Sequence, residues 1–177
     1  MNSSASKRAQ RVFLLWACIF SGAALSIDAT GQSSATPAGA NTTIGSNVLL
    51  ADGAAALMSG DWQRGVELTE LGLSSVLSRE DQAAALANLC AGYAALKEFA
   101  KGLEFCNRSL AILTTNWRTW QNRAACNLGL GNIEESLQDI QQGLKINPNA
   151  DSLQKTLAIA REYEKLQQER MQNLLES

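Results

Sequence analysis

The chain has 177 residues, carries 15 Lys and Arg against 17 Asp and Glu for a formal net charge of −2, and contains no histidine. A charge this close to balance offers no basic face of the kind nucleic acid needs, so nucleic acid is set aside as a partner. The missing imidazole removes the commonest general base, the commonest metal ligand and the usual pH switch together.

At the N-terminus Lys7, Arg8 and Arg11 precede an apolar run from Val12 to Leu25, and small residues come after it. This is the layout of a secretory signal: a basic region, an apolar region of about 7–15 residues and a small-residue cleavage site. Residues 1–29 are therefore expected to be a signal peptide, cut after Ser26 or Ala29. The alternative is an uncleaved membrane anchor, although the run falls short of the roughly 20 residues that cross a bilayer. A membrane contact is expected only in that alternative. Loss of residues 1–29 removes Lys7, Arg8, Arg11 and Asp28, leaving 12 basic against 16 acidic groups and a charge of −4. Residues 30–45 are mostly Gly, Ser, Thr and Ala with Pro37, and almost no bulky apolar side chain. Such a segment cannot offset its ordering entropy by burial and reads as a flexible linker.

From residue 46 onward a helical pattern recurs. Residues 46–79 place Leu49, Gly53, Ala56 and Leu57 on one helix, then the turn Gly60-Asp61-Trp62, then Gly65, Leu68, Gly72 and Leu73 on a second. Asp61 suits the N-cap of that second helix. After Glu80-Asp81-Gln82, residues 83–116 repeat the scheme. Leu86, Leu89, Cys90, Tyr93 and Leu96 form one stripe, Lys97-Glu98-Phe99 the turn, and Gly102, Leu103, Cys106, Ser109 and Leu110 the next stripe. Residues 117–150 come directly after, with Trp120, Ala124 and Leu128, the turn Gly131-Asn132-Ile133, and Leu137, Ile140, Leu144 and Ile146. Asn132 is the expected cap there, with Glu134 and Glu135 in the first turn where the helix dipole favours acid. Pro148 closes the unit, and Asn149 or Asp151 is expected to cap the next helix. Residues 151–177 read as that helix, a long one whose Leu153, Leu157, Ala160, Tyr163 and Leu166 cover the last unit. Met171, Leu174 and Leu175 beyond them offer the alternative of pairing with another chain.

Slid by 34 residues, 83–116 falls on 117–150 position for position, and 46–79 fits after the three-residue insertion. A fixed period of this size marks units that cannot bury their apolar faces alone and so stack into a solenoid. The pattern resembles the tetratricopeptide repeat (TPR) family. Small residues stand at its eighth position (Gly53, Cys90, Ala124), its twentieth (Gly65, Gly102, Ser136) and its twenty-seventh (Gly72, Ser109, Gly143). The aromatic of the eleventh position is met only by Tyr93, and the proline of position thirty-two only by Pro148. The resemblance implies an all-α, TPR-type α-solenoid of about three helix-turn-helix repeats with a C-terminal capping helix. It also implies that the first helices of the repeats line a concave groove for a protein or peptide partner. By position that groove would show Leu50, Ala54 and Leu57, then Ala84, Ala87, Asn88, Ala91 and Ala95, then Arg118, Gln121, Asn122 and Ala125. Asn88 and Arg118 match two positions with which some relatives clamp a partner's terminal carboxylate. Leu50, Ala54 and Asn122 depart from that clamp, so Arg118 is left as the groove cation.

Cys90 lies eight residues before the turn centre at Glu98 and Cys106 eight after it, which sets them face to face in an antiparallel helix pair. In an oxidising compartment a disulfide is expected if their Cα atoms lie within about 7 Å; otherwise both are buried thiols acting as small apolar fillers. Cys126, Trp62 and Trp120 read as packing residues. Catalysis has no support, with no nucleophile beside a base and no phosphate-cradling glycine loop, and Glu134, Glu135 and Asp139 read as solvated or capping groups. No metal and no cofactor is expected. The function expected is a non-catalytic interaction scaffold or adaptor in a bacterial periplasm or envelope. The alternative is a structural subunit that self-associates through its C-terminal helix.

Overall fold

The computed structural model describes residues 48–176. The expected signal peptide and linker lie outside these residues. Seven helices succeed one another: α1 (Val48–Ser59), α2 (Trp62–Leu73), α3 (Arg79–Ala95), α4 (Phe99–Ile112), α5 (Trp117–Leu130), α6 (Ile133–Ile146) and α7 (Asp151–Leu175). They form three antiparallel hairpins and a terminal helix, an all-α solenoid.

Each hairpin turns at the same point of the repeat, and the backbone there is left-handed at all three: φ is +85° at Gly60, +64° at Lys97 and +83° at Gly131. Glycine adopts that conformation freely, whereas Lys97 holds it against its own Cβ. Asp61 caps α2, its side chain accepting a hydrogen bond from the Arg64 amide at 3.3 Å. Asn132 precedes α6 but does not cap it; its amide turns back toward the Asn127 Oδ1, 3.4 Å away. Neither Asn149 nor Asp151 caps α7, whose N-cap residue is Ala150. Glu80, Asp81 and Gln82 are not a spacer between repeats but part of the first turns of α3. Ser78 caps that helix by accepting from the Asp81 amide at 3.0 Å. Glu80 and Asp81 then lie where acidic groups meet the positive end of the helix dipole.

Within a hairpin, small residues allow the backbones to close on each other, and serines add cross-links. The Ser109 hydroxyl donates to the Ala83 carbonyl at 2.8 Å and that of Ser136 to the Ala124 carbonyl at 2.9 Å. The core runs between repeats as well as inside them. One cluster joins Val66 of α2, Leu86, Leu89 and Tyr93 of α3, Phe105 of α4 and Cys126 of α5. A second joins Leu128 of α5, Ile140 of α6 and Leu153 and Ala160 of α7. The first helices also touch one another, α1 with α3, α3 with α5 and α5 with α7, while α2, α4 and α6 share no comparable contact. The wall of first helices is therefore the inner, concave one.

Candidate binding groove

Three elements build the wall: α1, α3 and α5. On α1 the structure corrects the expectation for Leu50 and Leu57, which are 3% and 0% exposed. Both point into α2, where glycine makes room for them. A Cβ added at Gly72 would sit 2.5 Å from Leu50 Cδ2, and one at Gly65 would sit 2.6 Å from Leu57 Cδ2. They are core side chains, not groove lining, and Ala54 beside them is 1% exposed. On α3 every residue from Ala83 to Ala94 is buried, which includes Ala84, Ala87, Asn88 and Ala91, while Ala95 is half-buried. Asn88 is 4% exposed. Among the described residues the sealed side-chain atom left without a partner is Thr119 Oγ1 on α5, a kind of group that is uncommon in a folded chain.

On α5 Arg118, Gln121 and Asn122 are half-buried and Ala125 is buried. Gln121 is tied to the cap, its Oε1 accepting from the Ser152 hydroxyl at 2.8 Å. Arg118 has no acidic partner among the described residues. Its guanidinium lies over the Trp117 ring, 4.2 Å from the centroid, and burial pulls its pKa below the usual arginine value. A cation stacked on an indole and partly stripped of water is prepared for a carboxylate, which guanidinium holds in two-pronged fashion.

Asp139 is a correction of a different kind. It is not solvated: its side chain is 4% exposed and forms an ion pair with Arg123, whose Nε lies 3.1 and 3.0 Å from the two carboxylate oxygens and whose second nitrogen lies 2.6 Å from Oδ1. Arg123 also donates to Asn107 Oδ1 at 2.9 Å, and Asn127 donates to Asp139 at 3.0 Å. This network joins α4, α5 and α6 behind the wall and saturates Arg123, leaving Arg118 as the open guanidinium on α5. Trp120 belongs to the packing, its indole N–H donating to the Thr114 carbonyl at 2.8 Å with Arg123 stacked over its ring.

In the second repeat the sulfurs of Cys90 and Cys106 are joined, with Cα atoms 5.1 Å apart. Cys126 is a free thiol, buried, and pushed up to about 12 by burial first and the Asp139 charge second. A thiol so far from thiolate is inert. On the outside of the same repeat Tyr93 donates to Glu70 and accepts from Lys101, whose ammonium also lies 4.0 Å from the ring centroid. Burial, then the Glu70 bond, raises the Tyr93 pKa. Among the described residues no group of His, Cys, Asp or Glu is placed to hold a metal, and no helix is long and apolar enough to cross a membrane.

No sequence-family profile matches the chain, and no curated protein matches it. Solved structures do. The first TPR domain of human RPAP3 aligns with a TM-score of 0.62 at 20% identity, over 69% of this chain and 94% of that one. The second TPR domain of human RPAP3, in complex with the HSP70 peptide SGPTIEEVD, aligns with a TM-score of 0.57 at 17% identity, over 64% and 92%. A mutant of MamA aligns with a TM-score of 0.55 at 19% identity, over 93% and 83%. The chain thus has the fold of a tetratricopeptide repeat protein, an α-solenoid.

Proposed function

We propose that this chain is a non-catalytic interaction scaffold, exported to a bacterial periplasm or envelope, which binds a peptide or helix of its partner in the concave groove. The carrying observation is a pair of polar groups on neighbouring first helices: the Asn88 amide on α3 and the Arg118 guanidinium on α5, which has no acidic partner among the described residues. The first is suited to a partner's backbone and the second to an acidic side chain or terminus. Between them the wall is alanine, which leaves room for larger side chains of a bound segment. The HSP70 peptide held by the second RPAP3 domain is itself acidic near its end, which supports an acidic segment for Arg118. Export rests on the sequence from Lys7 to Ala29, and it agrees with the joined sulfurs of Cys90 and Cys106, since such bonds persist in oxidising compartments. Residues 46–177 and their Arg118→Ala variant, used as parallel baits in envelope extract, test the reading. The partner should be retained by the first and lost at least tenfold from the second; equal recovery refutes the groove.

A second reading, a structural subunit that self-associates through α7, has one observation in its favour. From Arg161 to Leu175 that helix has no buried residue, and Met171 and Leu175 are 56% and 84% exposed. Light scattering of residues 46–177 at increasing concentration decides it, and a constant monomer mass rejects it.

A further inference from the structure

We infer that the groove continues past the third repeat onto α7, where Arg118 and Lys155 form a two-cation seat for a pair of acidic side chains on an extended segment of the partner. The inference deepens the groove reading given above and rests on it. Its first support is the period. Slid by 34 residues, Arg118, Gln121 and Ala125 of α5 fall on Ser152, Lys155 and Ile159 of α7. The terminal helix thus repeats the groove positions of a first helix. The structure makes the join: α7 packs beside α5, and the Ser152 hydroxyl reaches Gln121 Oε1 at 2.8 Å. Ser152 and Ile159 are half-buried, and Lys155 between them is exposed. Residues at i, i+3 and i+7 share one helix face, so the Lys155 ammonium stands on the side of α7 that meets α5.

The second support is charge. The chain carries more acid than base, yet α5 contains no acidic residue. Of its two arginines, Arg123 is held by Asp139. None of the ion pairs among the described residues includes Arg118 or Lys155. Two cations without a counter-charge on one stretch of wall make a local positive potential that draws in carboxylates. Glu162, the next charge on that face of α7, lies about 10 Å further along and bounds the patch. The third support is spacing. Arg118 stands one turn before the Gln121–Ser152 bridge on α5, and Lys155 one turn after it on α7. First helices run in the same direction, so the two cations lie about 9 Å apart along the axes, at roughly 1.5 Å per residue. Alternate side chains of an extended segment point to one side, about 7 Å apart. A Glu-X-Glu segment therefore offers one carboxylate to each cation. Arg118 takes its own in two-pronged fashion and Lys155 acts as a point charge.

Fluorescence anisotropy of a labelled, C-terminally amidated peptide, Leu-Ala-Glu-Ala-Glu-Ala-Leu, titrated with the full chain tests this. It should bind at least tenfold more tightly than the same peptide with both Glu replaced by Gln. Arg118→Ala and Lys155→Ala should each weaken it at least fivefold, and Lys155→Arg should restore binding to within about twofold. Arg161→Ala, an exposed cation elsewhere on α7, should change nothing. Equal binding of the Gln peptide, or no binding of either, overturns the inference. So does a loss with Arg161→Ala as large as with Lys155→Ala, which marks unspecific attraction. A Gln peptide with a free C-terminus that binds as well as the Glu peptide shows a seat for a chain end, and overturns it too. Loss with Arg118→Ala but not with Lys155→Ala removes the two-cation seat and leaves the groove standing. The groove itself fails only if capture of the partner from envelope extract is indifferent to Arg118→Ala.

Discussion

Asp139 is almost sealed from water, and Arg123 answers its charge with two-pronged geometry. A pair like this contributes little over a well-packed apolar pair, but removing one partner leaves a buried charge alone. Arg123→Ala should therefore cost about 3 kcal/mol in urea unfolding. Arg123→Met with Asp139→Leu should cost clearly less than the single change; a larger loss in the double variant would contradict this. Cys126 gives the pH prediction. Its folded pKa of about 12 stands above the ordinary 9.0, so the neutral thiol favours the fold below about pH 9, and that advantage drains away as pH rises toward 12. The slope is about 1.4 kcal/mol per pH unit. Between pH 8 and 10.5 the native chain should lose about 2 kcal/mol more than Cys126→Ala, and equal losses would refute the assignment. Only part of this was legible beforehand. Arg123 and Asp139 stand eight residues either side of Gly131, as Cys90 and Cys106 stand either side of Glu98. The same symmetry served both pairs, but cysteines are rare enough to draw attention. A charged residue on a helix reads by default as solvated.

At the level of the helices, the 34-residue period placed every hairpin, because small residues must recur wherever two helices close on each other. Boundaries were harder. The insertion Glu80-Asp81-Gln82 became helix because Ser78 supplied a cap upstream of it, a signal present in the sequence but outside the repeat. Leu50 and Leu57 fell at groove positions of the family pattern, yet Gly72 and Gly65 open pockets in α2 that draw them inward. That is a pairwise fit which no single-helix pattern records. The turn glycines carry a direct test. At Gly131 nothing lies within 4 Å of an added Cβ, so Gly131→Ala is penalised by its left-handed backbone alone. About 1 kcal/mol should be lost in thermal unfolding; no loss would mean the turn relaxes. The bond between Cys90 and Cys106 closes a 16-residue separation, for which loop entropy gives about 3 kcal/mol. Reductant should remove that much from the oxidised protein and nothing from Cys90→Ala with Cys106→Ala. Two free thiols by mass in the protein purified without reductant would show that the bond is not made.

Across the whole molecule, contact among first helices and its lack among second helices bends the stack and makes one face concave. Asn88 and Arg118 lie on that face, while the deeper charges of Arg123 and Asp139 are spent on one another. In the proposed function a partner docks on that face and supplies a carboxylate to Arg118. The most direct measurement is the calorimetric affinity of the captured partner for residues 46–177 carrying Arg118→Ala with Asn88→Leu, beside a control with the exposed outer residues Glu104→Ala and Gln141→Ala. The groove variant should bind at least tenfold more weakly and the outer variant as the native chain does. Unchanged binding by the groove variant, with loss in the outer one, would contradict the account.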